Sequence, residues 1–270
     1  MNATVRIGTQ GWNYQDWVGP FYPAGSRAAD FLSVYSRAFD TVEVDSTFYA
    51  VPAASTVQGW ARRTPPGFQF SLKLPQEVTH ENGLRDPAGT TPQFFERARE
   101  LGDKLGPILV QLPATFEAGE LPALVTFLQS LPGDLRVAIE FRHRSWIQDG
   151  VIALLREHNV AVVLVEGRWI PRKIMAGLAE RPTADFGYIR WIGPDRELVD
   201  FSRVQIDRTR ELEVWKSAIE TLASRVTEVV GYVNNHYSGH SPATVRQLQR
   251  LLGQPSVDPS MLGEQLQLLL

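Results

Sequence analysis

The chain has no cysteine among its 270 residues. Disulfides, thiolate metal sites and cysteine nucleophiles are therefore excluded outright, although the absence fits either redox compartment. Histidine is scarce too: there are five, and none stands in an HxH or HExxH spacing. No apolar run approaches the ~18 residues that a membrane span requires. The start, MNATVRIGTQGW, lacks the basic segment and apolar core of a secretory signal, so the cytoplasm is the expected location. A formal net charge of −3 gives no global attraction for nucleic acid. There is also no Walker phosphate loop, no dinucleotide fingerprint and no G-x-S-x-G elbow.

Hydrophobic residues at 43% and charged residues at 21% describe an ordinary folded chain with ample material for one large core. Short β-branched runs recur at Val5–Gln10, Thr41–Asp45, Phe68–Lys73, Ile108–Leu112, Arg136–Phe141, Val160–Glu166, Phe186–Trp191 and Val226–Asn235. Helical patterns fall between them at Ala28–Phe39, Thr56–Arg63, Pro92–Leu105, Pro122–Leu131, Gly150–His158 and Arg208–Ala223, with Pro242–Leu252 after the last. The sixth connection, Arg168–Pro182, holds only a short helical possibility. Pro92, Pro122 and Pro242 suit first helical turns, with Thr91 and Ser241 as N-caps. Strands alternating with helices predict parallel strands joined by crossovers. The fold expected is one α/β (β/α)8 TIM-type barrel over residues 1–270, with a core at about 5–253 and a tail at 254–270. An open doubly wound sheet is the alternative.

Strand parity carries the chemistry, because alternate side chains of a barrel strand face the interior. Val42 and Val44 form one set and Glu43, Asp45 and Thr47 the other. The same rule aims Gln10, Gln69, Ser71, Lys73, Gln111, Glu140, Arg142, Glu166, Tyr188, Arg190, Tyr232, Asn234 and His236 toward the axis. Burying such charges unpaired costs several kcal/mol each. They must therefore form an internal network or serve a pocket at the C-terminal rim, where ligands of barrels bind. The long first loop, Gly11–Arg27, concentrates Trp12, Tyr14, Trp17, Phe21 and Tyr22, either as a plug over the mouth or as a stacking platform.

Six ordered motifs, GTQGWNYQDWVGPFYP, TVEVDSTFYAVP, FSLKLPQEVTH, LVQLPATF, AIEFRHRSW and YVNNH, resemble the YecE-like family, domain of unknown function 72. They run from about Arg6 to about Ala243. The resemblance implies a TIM-type barrel and no established reaction. It marks Gly11, Trp12, Tyr14, Trp17, Phe21, Tyr22 and Pro23 in the first loop, and Glu43, Ser46, Thr47, Phe48 and Tyr49 after the second strand. It marks further Lys73, Thr79, His80, Gln111, Pro113, Glu140, Arg142, Trp146, Asn235 and His236. Two positions depart from the pattern: Ile192 stands where relatives carry a His, and Glu166 where an Asp is common.

Two chemistries compete on these residues. In the first, the barrel handles a polar, anionic small molecule such as a sugar phosphate or carboxylate. Lys73, Arg142 and Arg190 would bind the anion, Glu43 and Glu140 would form the acid/base pair with Lys73 and His236 beside them, and His80 and His236 would move protons. Gln10, Trp12, Tyr14, Asp45, Thr47, Tyr49, Gln111, Trp146, Asn234 and Asn235 would complete the binding surface, with no cofactor evident. In the second, Asp45, His80, Glu166 and His236 would ligate a divalent metal in a phosphodiesterase or nuclease resembling barrel-type apurinic-site endonucleases. A non-catalytic barrel whose Leu-rich end, Met261–Leu270, docks to a second subunit is the remaining reading.

Overall fold

A computed structural model describes residues 3–86, 88–193 and 197–264. Each predicted strand forms, and each is followed by a helix: β1 (Thr4–Gln10), α1 (Phe31–Ala38), β2 (Thr41–Val44), α2 (Ala54–Arg62), β3 (Gln69–Leu72) and α3 (Thr90–Arg99). The order continues with β4 (Ile108–Gln111), α4 (Leu121–Ser130), β5 (Val137–Glu140), α5 (Asp149–Glu157), β6 (Ala161–Gly167), α6 (Arg172–Gly177), β7 (Phe186–Gly193), α7 (Thr209–Ala223) and β8 (Glu228–Val233). A one-turn helix α8 (Asn235–Ser238), then α9 (Ser241–Leu251) and α10 (Met261–Glu264), complete the chain.

The strands form one parallel eight-stranded sheet in the order β3-β2-β1-β8-β7-β6-β5-β4. Between β3 and β4 the sheet is joined by isolated bridges, Phe70 to Leu105 and Lys73 to Leu109, with Leu74 N–H donating to Leu109 O at 2.8 Å. This closes an α/β barrel of the (β/α)8 TIM type. Its wall is sealed by the expected parity: Phe70 stacks on Trp60 of α2 and Trp191 meets Trp215 of α7, all facing outward into the helix layer. At Gly8 a Cβ would stand 2.1 Å from the Thr41 carbonyl oxygen, so only glycine lets β1 and β2 approach this closely. No helix among the described residues is long and apolar enough to cross a membrane.

Two helix starts differ from expectation. Thr91 does not cap α3, which begins at Thr90; the Asp86 carboxylate accepts from Thr90 N–H at 2.9 Å and Thr91 N–H at 2.8 Å. A carboxylate supplies two acceptors to the first turn where a threonine supplies one. Ser241 likewise lies inside α9, and its N–H is taken by Asn235 Oδ1 at 3.0 Å.

The first loop divides. Trp17, Phe21 and Tyr22 are buried, with Tyr22 stacked on Phe31 at 4.3 Å and Phe21 on Phe39 at 5.5 Å. They anchor the loop to α1 rather than face a ligand. Leu262 of α10 is buried in the same core, and Gly263 lies beside Pro23, so the tail packs on its own barrel as far as residue 263. Positions 265–270 of the Leu-rich end lie outside the described residues.

Candidate active site

Near the C-terminal end of the barrel axis lies a charged layer built by inward positions of three strands. Arg190 of β7 donates from Nε to Glu43 Oε2 at 2.9 Å, from Nη2 to Glu43 Oε1 at 2.7 Å and from Nη1 to Glu140 Oε2 at 2.5 Å. Tyr188 adds its hydroxyl to Glu43 at 2.7 Å, and Arg142 Nε donates to Glu140 Oε1 at 2.7 Å. Glu43 and Glu140 are both fully buried. Their pKa values move in opposite directions. Burial pushes the Glu43 carboxyl up, against the pull of Arg190. Burial also acts on Glu140, but the guanidiniums of Arg190 and Arg142 together outweigh it and hold that carboxyl at about 2. Further along the axis, Tyr232 shares its hydroxyl with Thr41 and Ser71, each at 2.8 Å.

A cavity of about 480 Å³ opens at this end of the barrel. Seven of the strands or the turns after them line it: Gln10 and Tyr14, then Asp45, Phe48 and Tyr49, then Lys73, Gln76 and His80. Gln111, Arg142, Arg190 with Ile192, and Asn234 with His236 complete the lining. Glu43 and Glu140 do not reach that surface. They brace the guanidiniums that do, and Asp45 is the carboxylate on the lining, 3.9 Å from Arg190 Nη2.

Lys73 is 8% exposed. Its Nζ stands 3.7 Å over the Phe48 ring, and no carboxylate lies within ion-pair distance of it among the described residues. Burial, reinforced by the Arg190 charge, lowers its pKa to about 8. His80 sits on a π-helical turn, Glu77–Glu81, a geometry found disproportionately at functional sites. Its Nδ1 is 2.8 Å from Thr79 Oγ1 and its Nε2 3.2 Å from Gln111 Nε2. Burial, with Lys73 and Arg142 nearby, lowers its pKa to about 4, so the ring is neutral at physiological pH. Asn234 Nδ2 donates to Gln10 Oε1 at 2.8 Å, and its Oδ1 caps α8 through His236 N–H at 2.9 Å.

Five expected site residues lie elsewhere. Glu166 points outward from β6, paired with Arg172 at 2.5 Å and hydrogen-bonded to Trp215 and Tyr237. Inward positions of β6 are instead Val163 and Val165, level with Tyr188 and Arg190. Trp146 is buried, stacked between Phe116 and Phe141 with its Nε1–H on Phe116 O. Asn235 Oδ1 ties Trp17, Ser241 N–H and the Ser241 hydroxyl together. Thr47 is buried, and its hydroxyl accepts from Lys73 N–H at 3.0 Å and lies 2.8 Å from Lys73 O. Trp12 packs edge-on against Trp60 and Phe70 and lines a neighbouring, mostly apolar cavity that shares Tyr14, Asp45 and Tyr49 with the charged one. Of the alternative metal set, Asp45, His80 and His236 reach the pocket and Glu166 does not. Among the described residues no three or more His, Asp or Glu come together as a metal cluster.

Phe48, Gln76 and Ile192 of the lining, and Trp169 beside it, lie outside the expected binding surface. Phe48 carries Lys73 and meets His80 edge-on at 5.0 Å, and Trp169 carries the Arg142 guanidinium at 3.8 Å. Phe48 and Trp169 are aromatic residues in loops following strand C-termini; Phe48 is also one of the motif residues, whereas its loop position alone marks Trp169.

These observations define a class: a (β/α)8 barrel with a charged, concave pocket at the C-terminal rim. The family model described as "Protein of unknown function DUF72" matches residues 6–265, and the chain belongs to that family. It is 34% identical over 146 residues to UPF0759 protein YecE of Escherichia coli K12, covering 54% of this chain and 51% of that protein, so the match spans about half of YecE. With UPF0759 protein YunF of Bacillus subtilis it shares 27% identity over 272 residues, 92% of this chain and 94% of the relative. A crystal structure of a DUF72 family protein from Thermotoga maritima superposes with a TM-score of 0.77 at 27% identity, covering 93% of this chain and all of that one. A DUF72 family protein from Enterococcus faecalis matches at 0.74 with 20% identity, over 94% of this chain and 99% of that one, a likeness of fold.

Proposed function

We propose that the barrel mouth is the active site of an enzyme that binds a small polar anion, a carboxylate or phosphate ester, and performs acid–base chemistry on it. The observation that carries this reading is the convergence of Lys73, Arg142 and Arg190 on one cavity of about 480 Å³. A cavity of that size suits a small-molecule ligand. Arg142 is already fixed in place, with Glu140 holding its Nε and Trp169 its face, so it is oriented without further ordering. Neutral His80 supplies a polar ring that does not repel cations, and Asp45 is placed to exchange a proton at the surface. Glu43 and Glu140 balance the charge of Arg190 and fix its position rather than touch the ligand.

Calorimetry with inorganic phosphate, malonate and simple sugar phosphates tests the reading. Saturable binding to the wild type is expected, weakened at least tenfold in Arg142→Ala and unchanged in Arg172→Ala, whose guanidinium serves Glu166. No saturable binding of any anion, or equal affinity in Arg142→Ala, refutes it.

A further inference from the structure

We propose that Lys73 is a nucleophilic amine that condenses reversibly with the carbonyl of a small oxo-acid or oxo-phosphate to form a Schiff base. This rests on the anion-binding reading above and names the chemistry of its substrate.

Residue choice sets Lys73 apart. The chain has four lysines, Lys73, Lys104, Lys173 and Lys216, against 23 arginines. Wherever a fixed positive charge is used in the interior, the chain uses arginine, as at Arg142 and Arg190. A guanidinium stays protonated in proteins, whereas an ammonium can lose its proton and attack. The remaining lysines have structural or surface positions. Lys104 donates to the carbonyls of Ala61 and Thr64, both at 2.6 Å, Lys216 faces Glu220 at 3.6 Å, and Lys173 is exposed. Only Lys73 lines the cavity.

The surroundings of Lys73 set it apart as well. Buried amines beside another cation are the environment in which lysine nucleophiles are activated. Lys73 is buried, lies against an aromatic ring and has no carboxylate at ion-pair distance among the described residues. Its neighbours in the field are Arg190, which disfavours its charge, and Asp45, Glu140 and Glu43, which favour it. The balance leaves its pKa at about 8, so an appreciable fraction is free amine near neutrality. The position is also rigid: Lys73 pairs by its backbone with Leu109 and with the Thr47 hydroxyl.

In the proposed step the Nζ lone pair forms a bond to the carbonyl carbon, and the carbonyl π electrons move to oxygen. One proton passes from nitrogen to that oxygen, giving a carbinolamine. Asp45 on the same lining lies beyond ion-pair distance of Nζ and takes part through an intervening water. A further proton reaches the hydroxyl, the C–O bond breaks with loss of water, and the nitrogen lone pair closes the protonated imine. Ammonium plus carbonyl thus yields iminium plus water, with no oxidant required. Arg142 holds the substrate's anionic group across the cavity.

The test is reductive trapping. Full-length protein is treated with glyoxylate and sodium cyanoborohydride at about pH 7.5, and the lysines are compared by peptide mapping. A pKa of about 8 against the ordinary ~10.4 gives a free-amine fraction larger by on the order of a hundredfold. Lys73 is expected to be carboxymethylated at least tenfold faster than Lys173 and Lys216, and malonate should slow its labelling but not theirs. Labelling of Lys73 no faster than theirs, with malonate still bound, overturns the amine chemistry and leaves the anion reading standing. Fast labelling that malonate does not slow overturns the anionic substrate class. Absence of both selective labelling and malonate binding overturns both readings.

Discussion

Replacing Arg190 by methionine removes the charge that ties the barrel axis together. In the wild type its guanidinium makes four donor contacts to two fully buried carboxylates. Methionine fills similar space but, among the described residues, leaves Glu43 with the Tyr188 hydroxyl and Glu140 with Arg142. Removing one partner of a buried ionic network costs roughly 3–5 kcal/mol. For a chain of this size each kcal/mol moves the melting temperature by roughly 2 °C, so a fall of about 6–10 °C is expected near neutral pH. The pH dependence follows from linkage. Wild-type Glu140, depressed to about 2, contributes stability that is complete above its unfolded value of about 4.3 and is lost as pH falls toward 2. Without Arg190, burial dominates and both carboxyls rise on folding; a raised carboxyl destabilises above its unfolded pKa and is harmless when protonated. The difference between R190M and wild type should therefore shrink as pH is lowered from about 7 to about 4. Calorimetric scans across that range measure it. The triple variant R190M/E43Q/E140Q separates charge from packing, because it removes the uncompensated carboxylates and should recover most of the loss. A deficit under about 1 kcal/mol, a deficit that grows on acidification, or a triple variant no better than R190M would each refute the argument.

Other consequences are more local. In a carbon-detected titration of the five histidines, His80 should titrate near pH 4; a midpoint in the ordinary range of about 6.5 contradicts the packing described for it. Because its folded pKa lies below the unfolded one, its contribution to stability is full above about pH 6.5 and is lost as pH falls toward 4. Glu166→Gln should lower stability by about 1–3 kcal/mol through lost charge-assisted bonds to Arg172 and Trp215, with phosphate and malonate affinity unchanged by calorimetry; a tenfold loss of affinity would return Glu166 to the site. Trp146→Ala should cost about 3–5 kcal/mol in denaturant unfolding, and a cost below about 1 kcal/mol would mean that its stacked burial contributes little.

The architecture is legible because alternation is legible. In β2, β3 and β7 polar and apolar residues alternate, and Glu43, Ser71, Lys73, Tyr188 and Arg190 all face the axis as parity predicts. In β6 the run Ala161–Val165 is apolar on both sides, so parity has nothing to read, and Glu166 faces the helix layer instead of the axis. The register shift between Glu166 and Gly167 adds to the difficulty. The motif residues Thr47, Trp146 and Asn235 illustrate a different limit. A polar or aromatic residue beside a pocket is needed as much to shape loops as to touch a ligand, and only hydrogen-bond partners distinguish the two. The contacts of Phe48 and Trp169 are hidden for the converse reason: an aromatic under a cation looks in sequence like any other loop hydrophobe.

Thr47 gives the pocket lysine an address. Where β3 meets β4 the sheet is joined only by isolated bridges among the described residues, one of them at Lys73, so this seam is the thinnest part of the wall. One hydroxyl from the turn after β2 grips both peptide groups of residue 73, and so transfers the placement of the amine from that thin seam to a strand whose own pairing is secure. Threonine to valine at that site would keep the shape and let the anchor slip, a way to detune a reactive group without touching it.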